Sequence, residues 1–173
     1  SRNWGLSYAN SPIDGLFNSQ VGNITFREAC PIHFEIDSIC SDDMPELIVQ
    51  IGCGSGRMIG YYAHKYPEVR CIGTDAFAET LEVSEQHQNS PNLSFELFPA
   101  HNLIELLKRF SRSNILIFSS GSLKYVQPEH LIMFFQTLVT LRHANIKILI
   151  QETANELEGS PDKSQNSLWD GEF

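Results

Sequence analysis

The sequence predicts an α/β fold: a three-layer sandwich built on a doubly wound, mostly parallel sheet. Three observations carry this. From Glu46 onward, five short apolar runs alternate with helix-like stretches, and such alternation builds a parallel sheet covered by helices. The runs are apolar throughout and do not alternate in polarity, as expected of strands buried on both faces. The first run leads directly into a glycine-rich turn, Gly52-Cys53-Gly54-Ser55-Gly56, where ligand crevices of such sheets open.

The elements follow in order. Residues 1–45 read as an N-terminal arm or helical lid, with Trp4 and Tyr8 among its large side chains. Thr25-Phe26-Arg27-Glu28 has the form of a capping box. Pro31 conflicts with a helix running on from there, so the alternative is a helix from Pro31 to Ser38. Ser41 to Pro45 is a polar break. Residues 46–152 form the core, with strands at 47–51, 69–73, 93–98, 114–118 and 146–150. Helices fall at 57–65, stopped before Pro67, and at 78–87, ended by Asn89-Ser90-Pro91-Asn92. A third spans 103–110, capped by Asn102. A fourth spans 128–142, with Pro128 in its first turn and Phe134, Phe135, Leu138 and Leu141 as its core stripe. Residues 153–173 are a polar tail.

Composition narrows the classes. The 173 residues suffice for one domain with a sizeable core. No run of about 18 apolar residues exists, so a membrane partner is not expected. A net charge of −9 disfavours a phosphate-tracking nucleic-acid surface. Lys108, Arg109 and Arg112 lie at helical spacing and read as a solvated face. The four cysteines, Cys30, Cys40, Cys53 and Cys71, match no zinc pattern, so no metal is expected. They read as small buried thiols of a reducing, cytoplasmic compartment. The oligomeric state stays open.

The chemistry lies in the turn and in an acid that follows it. Gly52, Gly54 and Gly56 follow GxGxG, between a buried strand and a helix. Glycine lets backbone approach a ligand closely. The dinucleotide fingerprint needs another glycine where Arg57 stands, which disfavours a nicotinamide cofactor. Asp75 closes the second strand, and a carboxylate has two oxygens for two ribose hydroxyls.

Residues 46–152 resemble the core of a class I, Rossmann-like S-adenosylmethionine-dependent methyltransferase. The matching segments are Val49 to Gly56, Ile72-Gly73-Thr74-Asp75 and Ile117 to Leu123. The resemblance implies a sheet of order 3-2-1-4-5 and S-adenosylmethionine as cofactor. Gly52, Cys53, Gly54 and Gly56 would pass under its methionyl part, and Gln50 would offer an oxygen to its ammonium group. Asp75 would take the ribose, with Ala76 and Phe77 along the adenine and Pro99, Ala100 and His101 at its edge. Ser119 and Ser120 would lie nearest the reacting methyl. No catalytic residue is fixed; His101 and Tyr125 are candidates, with His130 and Lys124 behind them.

The chain departs from the family pattern in three places. Gln50 stands where an acid is usual, Pro99 where many relatives carry Asp, and the last two family strands are missing. The chain is therefore either a piece of a longer protein or a shortened member. The expected function is methyl transfer to a small-molecule or other non-nucleic-acid acceptor. The alternative is a catalytically inactive binding or partner subunit. Aminopropyl transfer is disfavoured because the segment from Ser119 to Tyr125 carries no acid.

Overall fold

The computed structural model describes residues 20–21, 24–25, 31–110, 113–141 and 145–152. Two short strands, β1 (Gln20–Val21) and β2 (Ile24–Thr25), pair antiparallel. Then follow α1 (Pro31–Asp42), β3 (Leu47–Ile51), α2 (Arg57–Lys65), β4 (Arg70–Asp75) and α3 (Ala78–His87). The chain continues through β5 (Leu93–Leu97), α4 (Leu103–Leu107), β6 (Asn114–Ser120), α5 (Pro128–Leu138) and β7 (Asn145–Gln151). Strands β3 to β7 form one five-stranded sheet of order β5-β4-β3-β6-β7. Every pairing in it is parallel. This is the expected 3-2-1-4-5 arrangement.

Period-two alternation divides the sheet between two cores. Ile48, Leu116 and Phe118 pack with Ile36 and Cys40 of α1, Ile59 and Tyr62 of α2, and Leu81 of α3. Val49, Ile51, Ile115 and Ile117 point the other way, onto Leu103 and Leu106 of α4 and Phe134 and Leu138 of α5. Each such Ile or Leu, buried from water, contributes about 1.5–3 kcal/mol. The three layers follow from this division. On the first face His33 Nδ1 lies 2.5 Å from the Tyr62 hydroxyl, joining α1 to α2.

Several boundaries move. Helix α1 does start at Pro31, but it runs past Ser38 to Asp42 because Ile32, Ile36 and Cys40 form one buried stripe. Thr25 lies in β2, so it does not open a helix; residues 26–30 lie outside the described residues, as do Trp4, Tyr8, Arg112 and the tail from 153. Asn102 stands at the N-cap of α4, but its side chain accepts no capping hydrogen bond, because Ala100–Asn102 is already a 3₁₀ turn leading into the helix. The helical stretch after it ends as a second 3₁₀ turn, Lys108–Phe110. Strand β6 extends two residues beyond Phe118, to Ser120. Phe135 is no core residue. It sits about 100° round the helix from buried Phe134 and is 42% exposed.

Among the described residues no helix is long and apolar enough to cross a membrane. No group of His, Cys, Asp and Glu among them could hold a metal ion. Lys108 pairs with Glu105 at 2.7 Å and Arg109 with Glu96, so both described members of the basic run are countered.

Candidate cofactor site at the carboxyl ends of β3, β4 and β6

The chain leaves β3 through three left-handed glycines, Gly52 (φ 65°), Gly54 (φ 55°) and Gly56 (φ 74°). A side chain at each position meets a different fate. A Cβ on Gly52 would lie 2.4 Å from the Ser122 Cβ and Oγ, and one on Gly56 would lie 2.6 Å from the Phe95 ring. A Cβ on Gly54 would meet nothing within 4 Å. The two outer glycines are therefore demanded by protein packing. The middle one faces open space.

The turn is fastened from three sides. Gly54 N–H donates to Asp75 Oδ2 at 3.2 Å, and Cys53 N–H to the Thr74 carbonyl at 2.9 Å. The Ser84 hydroxyl of α3 reaches the Gly54 carbonyl at 2.5 Å. The Ser122 hydroxyl, beyond β6, donates to the Gly52 carbonyl at 3.1 Å. Ser84 lies outside every segment that resembles the family, and Thr74 and Ser122 lie inside two of them with no role of their own assigned. Topology brings them to the turn.

Asp75 stands half-buried at the tip of β4. Its Oδ1 accepts from Phe77 N–H at 3.2 Å. Burial raises its pKa above the ordinary value, against the opposing pull of the Gly54, Phe77 and Ala76 amides. Each carboxylate oxygen has two lone pairs, so both keep capacity for a further donor. Ala76 is exposed and Phe77 half-buried beside it. Gly52, Cys53, Gly54, Gly56 and Asp75 thus form one hydrogen-bonded unit.

Gln50 has a different partner. It is buried, and its Oε1 accepts from Ile59 N–H at 3.1 Å. Ile59 is the third residue of α2, whose N-cap Gly56 has no side chain to cap with. The strand therefore caps the helix. Cys53 is buried, and burial, followed by the Asp75 charge, pushes its thiol well up. That is the opposite of a reactive thiolate's environment.

The remaining candidates divide. Phe98 N–H donates to the Asp75 carbonyl at 3.0 Å, so the segment Pro99, Ala100 and His101 starts beside the acid. Ala100 is buried in the second core. The His101 ring stacks on His130 of α5 with centroids 4.1 Å apart. Burial, then the His130 charge, lowers the His101 pKa. Ser119 pairs in register with Ile51, next to the turn; it is fully buried, and its Oγ has no hydrogen-bond partner. Ser120 is half-buried at the strand end. Tyr125 is not drawn into the unit: it stands exposed, with the Lys124 ammonium 5.1 Å from its ring centroid.

Comparison with known proteins agrees with this geometry. A tRNA (guanine-N(7)-)-methyltransferase from Brevibacillus brevis is 33% identical over 72 residues, which span 40% of this chain and 34% of that protein. The match thus covers about a third of that relative's length. A TehB-like SAM-dependent methyltransferase from Corynebacterium glutamicum superposes with TM-score 0.58 at 20% identity, over 84% of this chain and 71% of that one. The plantazolicin methyltransferase BamL, in complex with a triazolic desmethylPZN analog and SAH, superposes with TM-score 0.51 at 21% identity. That likeness covers 64% of this chain and 40% of that one. At these identities the two structures speak for the fold. The family described as methyltransferase domain matches residues 48–144, more than half the chain. The chain therefore belongs to the S-adenosylmethionine-dependent methyltransferases of Rossmann-like fold.

Proposed function

We propose that the chain binds S-adenosylmethionine across the carboxyl ends of β3 and β4 and directs its methyl group to a small-molecule or other non-nucleic-acid acceptor. One observation carries the binding half: the Asp75 carboxylate sits at the tip of β4, hydrogen-bonded to the amide of the one turn glycine with open space before it. The residues fit the cofactor. Gly54 admits close backbone approach, and Asp75 keeps lone pairs for the ribose hydroxyls. Ala76, Phe77 and Pro99 to His101 would border the adenine, and Ser119 and Ser120 would border the methyl. The bound cofactor supplies an already activated methyl on a sulfonium. The chain's own task is to bind, orient and exclude water, and positioning alone is worth about 7–11 kcal/mol in favourable cases.

The net charge of −9 and the countered basic run support a non-nucleic-acid acceptor. A tRNA acceptor is the second reading, favoured by the Brevibacillus relative. The test is calorimetric titration with S-adenosylhomocysteine, followed by methyl transfer from labelled S-adenosylmethionine to small amines, alcohols and thiols and to bulk tRNA. Saturable binding with turnover on a small acceptor supports the reading. Turnover on tRNA alone transfers it to the second, and binding without any turnover favours a partner subunit.

A further inference from the structure

The stretch from Ser119 to Tyr125 has no acid in its sequence, yet the fold delivers one to it. Glu152 follows β7 directly, and its Oε1 accepts from Leu123 N–H at 2.9 Å. The neighbouring residue, Ser122, holds the Gly52 carbonyl. One residue of chain therefore separates the Glu152 contact from the glycine turn.

Register places a second polar group beside it. Ser119 pairs with Ile150 across β6 and β7. Alternation puts Ser119 on the same face as Ile115 and Ile117. At the end of β7 Gln151 turns to α1, where its Oε1 accepts from Ile32 N–H. Glu152, just past the strand, turns to Leu123 of the second core, on the side of Ile146 and Ile148. Ile115 and Ile117 belong to the second core, and Ile146 and Ile148 pack against it, partly buried. Both polar side chains thus leave the sheet on the α4 and α5 side, one pleat apart. Ser119 is fully buried. Its Oγ and Glu152 Oε2 are both buried atoms without a hydrogen-bond partner. Unmet buried polar atoms are costly and rare. Two on one face at the carboxyl edge, beside the cofactor crevice, point to a ligand that meets them.

We propose that Glu152 is an acceptor-binding residue of the methyltransferase site: Oε1 is fixed on Leu123, while Oε2, with the Ser119 hydroxyl beside it, accepts the N–H or O–H of the methyl acceptor. This rests on the methyltransferase reading above and specifies its substrate class. The acceptor is protic, an amine or a hydroxyl compound. A carboxylate with a free lone pair repels anionic acceptors and gives nothing to aprotic ones.

Glu152→Gln separates the two oxygens' tasks. The amide keeps one oxygen for Leu123 and presents an NH₂ donor where the acceptor's own donor must go. The test uses protein saturated with S-adenosylhomocysteine and ligand-observed NMR of three probe sets: small amines, small alcohols and phenols, and aprotic thioethers and N,N-dialkylamides. Amines or alcohols should bind in preference to the aprotic probes, and that binding should weaken at least about tenfold in Glu152→Gln, the loss of one charge-assisted hydrogen bond. S-adenosylhomocysteine affinity should stay within about twofold of wild type, reporting an intact crevice. Equal binding of protic and aprotic probes, binding of neither, or protic binding unchanged in Glu152→Gln overturns the assignment. Failure of the wild-type chain to take up S-adenosylhomocysteine overturns instead the donor reading beneath it.

Discussion

The amide of Gly54 and the carboxylate of Asp75 lie 3.2 Å apart, joined across two strands by a hydrogen bond from turn to acid. The bond makes Asp75 both a brace for the turn and the group that would receive a ribose. Asp75→Ala should therefore weaken S-adenosylhomocysteine binding by more than the ~0.5–1.5 kcal/mol of a single hydrogen bond, since two hydroxyl contacts leave together. Calorimetry on a variant with native-like circular dichroism checks this. Unchanged affinity would remove Asp75 from the site.

The same acid gives a pH dependence. Burial raises the Asp75 pKa above the roughly 3.9 of an exposed aspartate. A raised folded pKa favours the proton-bound fold, so this group's stabilising contribution is full below about pH 3.9 and is lost as pH rises through the folded value. At neutral pH the ionised carboxylate is a cost that hydroxyl donors relieve. Binding should release a proton, and affinity should fall as pH drops into the acid range, starting above the unperturbed aspartate value. Titrations in buffers of different ionisation enthalpy between pH 4.5 and 8, roughly this window, would read both effects. A flat affinity profile would contradict them.

Gly52 and Gly54, with only Cys53 between them, should respond differently to one methyl group. Gly52→Ala combines left-handed strain with a Cβ 2.4 Å from the Ser122 side chain. It should cost about 2 kcal/mol or more and lower the melting temperature. Gly54→Ala has the strain without the collision, a cost of roughly 1 kcal/mol, but its methyl enters the space the ligand would use. It should melt near wild type and lose S-adenosylhomocysteine binding. Retained binding in folded Gly54→Ala would place the cofactor elsewhere.

The stacked imidazoles of His101 and His130 should be visible in solution. Burial and the His130 charge both hold His101 below the usual histidine value. The folded state then binds fewer protons than the unfolded chain, so the stability contributed by neutral His101 is full above about pH 6.5 and is lost as pH falls through the lower folded value. His130→Gln should move the His101 titration upward by removing one cause and leaving burial. Carbon-detected NMR titration of the ring resolves the two histidines. An unshifted His101 would mean that the stack carries no charge coupling.

What the sequence made legible was local. The apolar run 47–51 and the helices 57–65 and 78–87 were readable to the residue, because glycine, proline or polar clusters punctuate them. Gly52, Gly54, Gly56 and Asp75 were readable as a unit, since the turn and the next strand's tip fall at a fixed place in such sheets. Ser84, Ser122 and Glu152 were not. Each reaches the site from another element, across 30, 70 and 29 positions of chain to the residue it bonds, and no short-range pattern marks a hydroxyl or acid that topology will deliver. Asn102 failed as a cap for the reverse reason: local preference for capping yielded to a 3₁₀ turn already in place.

Gln50 offers the sharpest separation of structure from binding. Its oxygen caps α2 through Ile59 from a fully enclosed position. Gln50→Leu should leave that amide unmet and cost about 1–3 kcal/mol of stability. Gln50→Glu keeps an acceptor and sets a negative charge against the helix N-terminus, a gain of about 0.3–1 kcal/mol. Against this stands the cost of burying an unpaired carboxylate, several kcal/mol. The ligand-free Glu variant should therefore melt below wild type. A ligand ammonium that approaches position 50 would pair with the new charge and return much of that loss. The rise in melting temperature on adding S-adenosylhomocysteine should then be larger in Gln50→Glu than in wild type. An equal or smaller rise would assign Gln50 to helix capping alone and leave the ammonium to other partners.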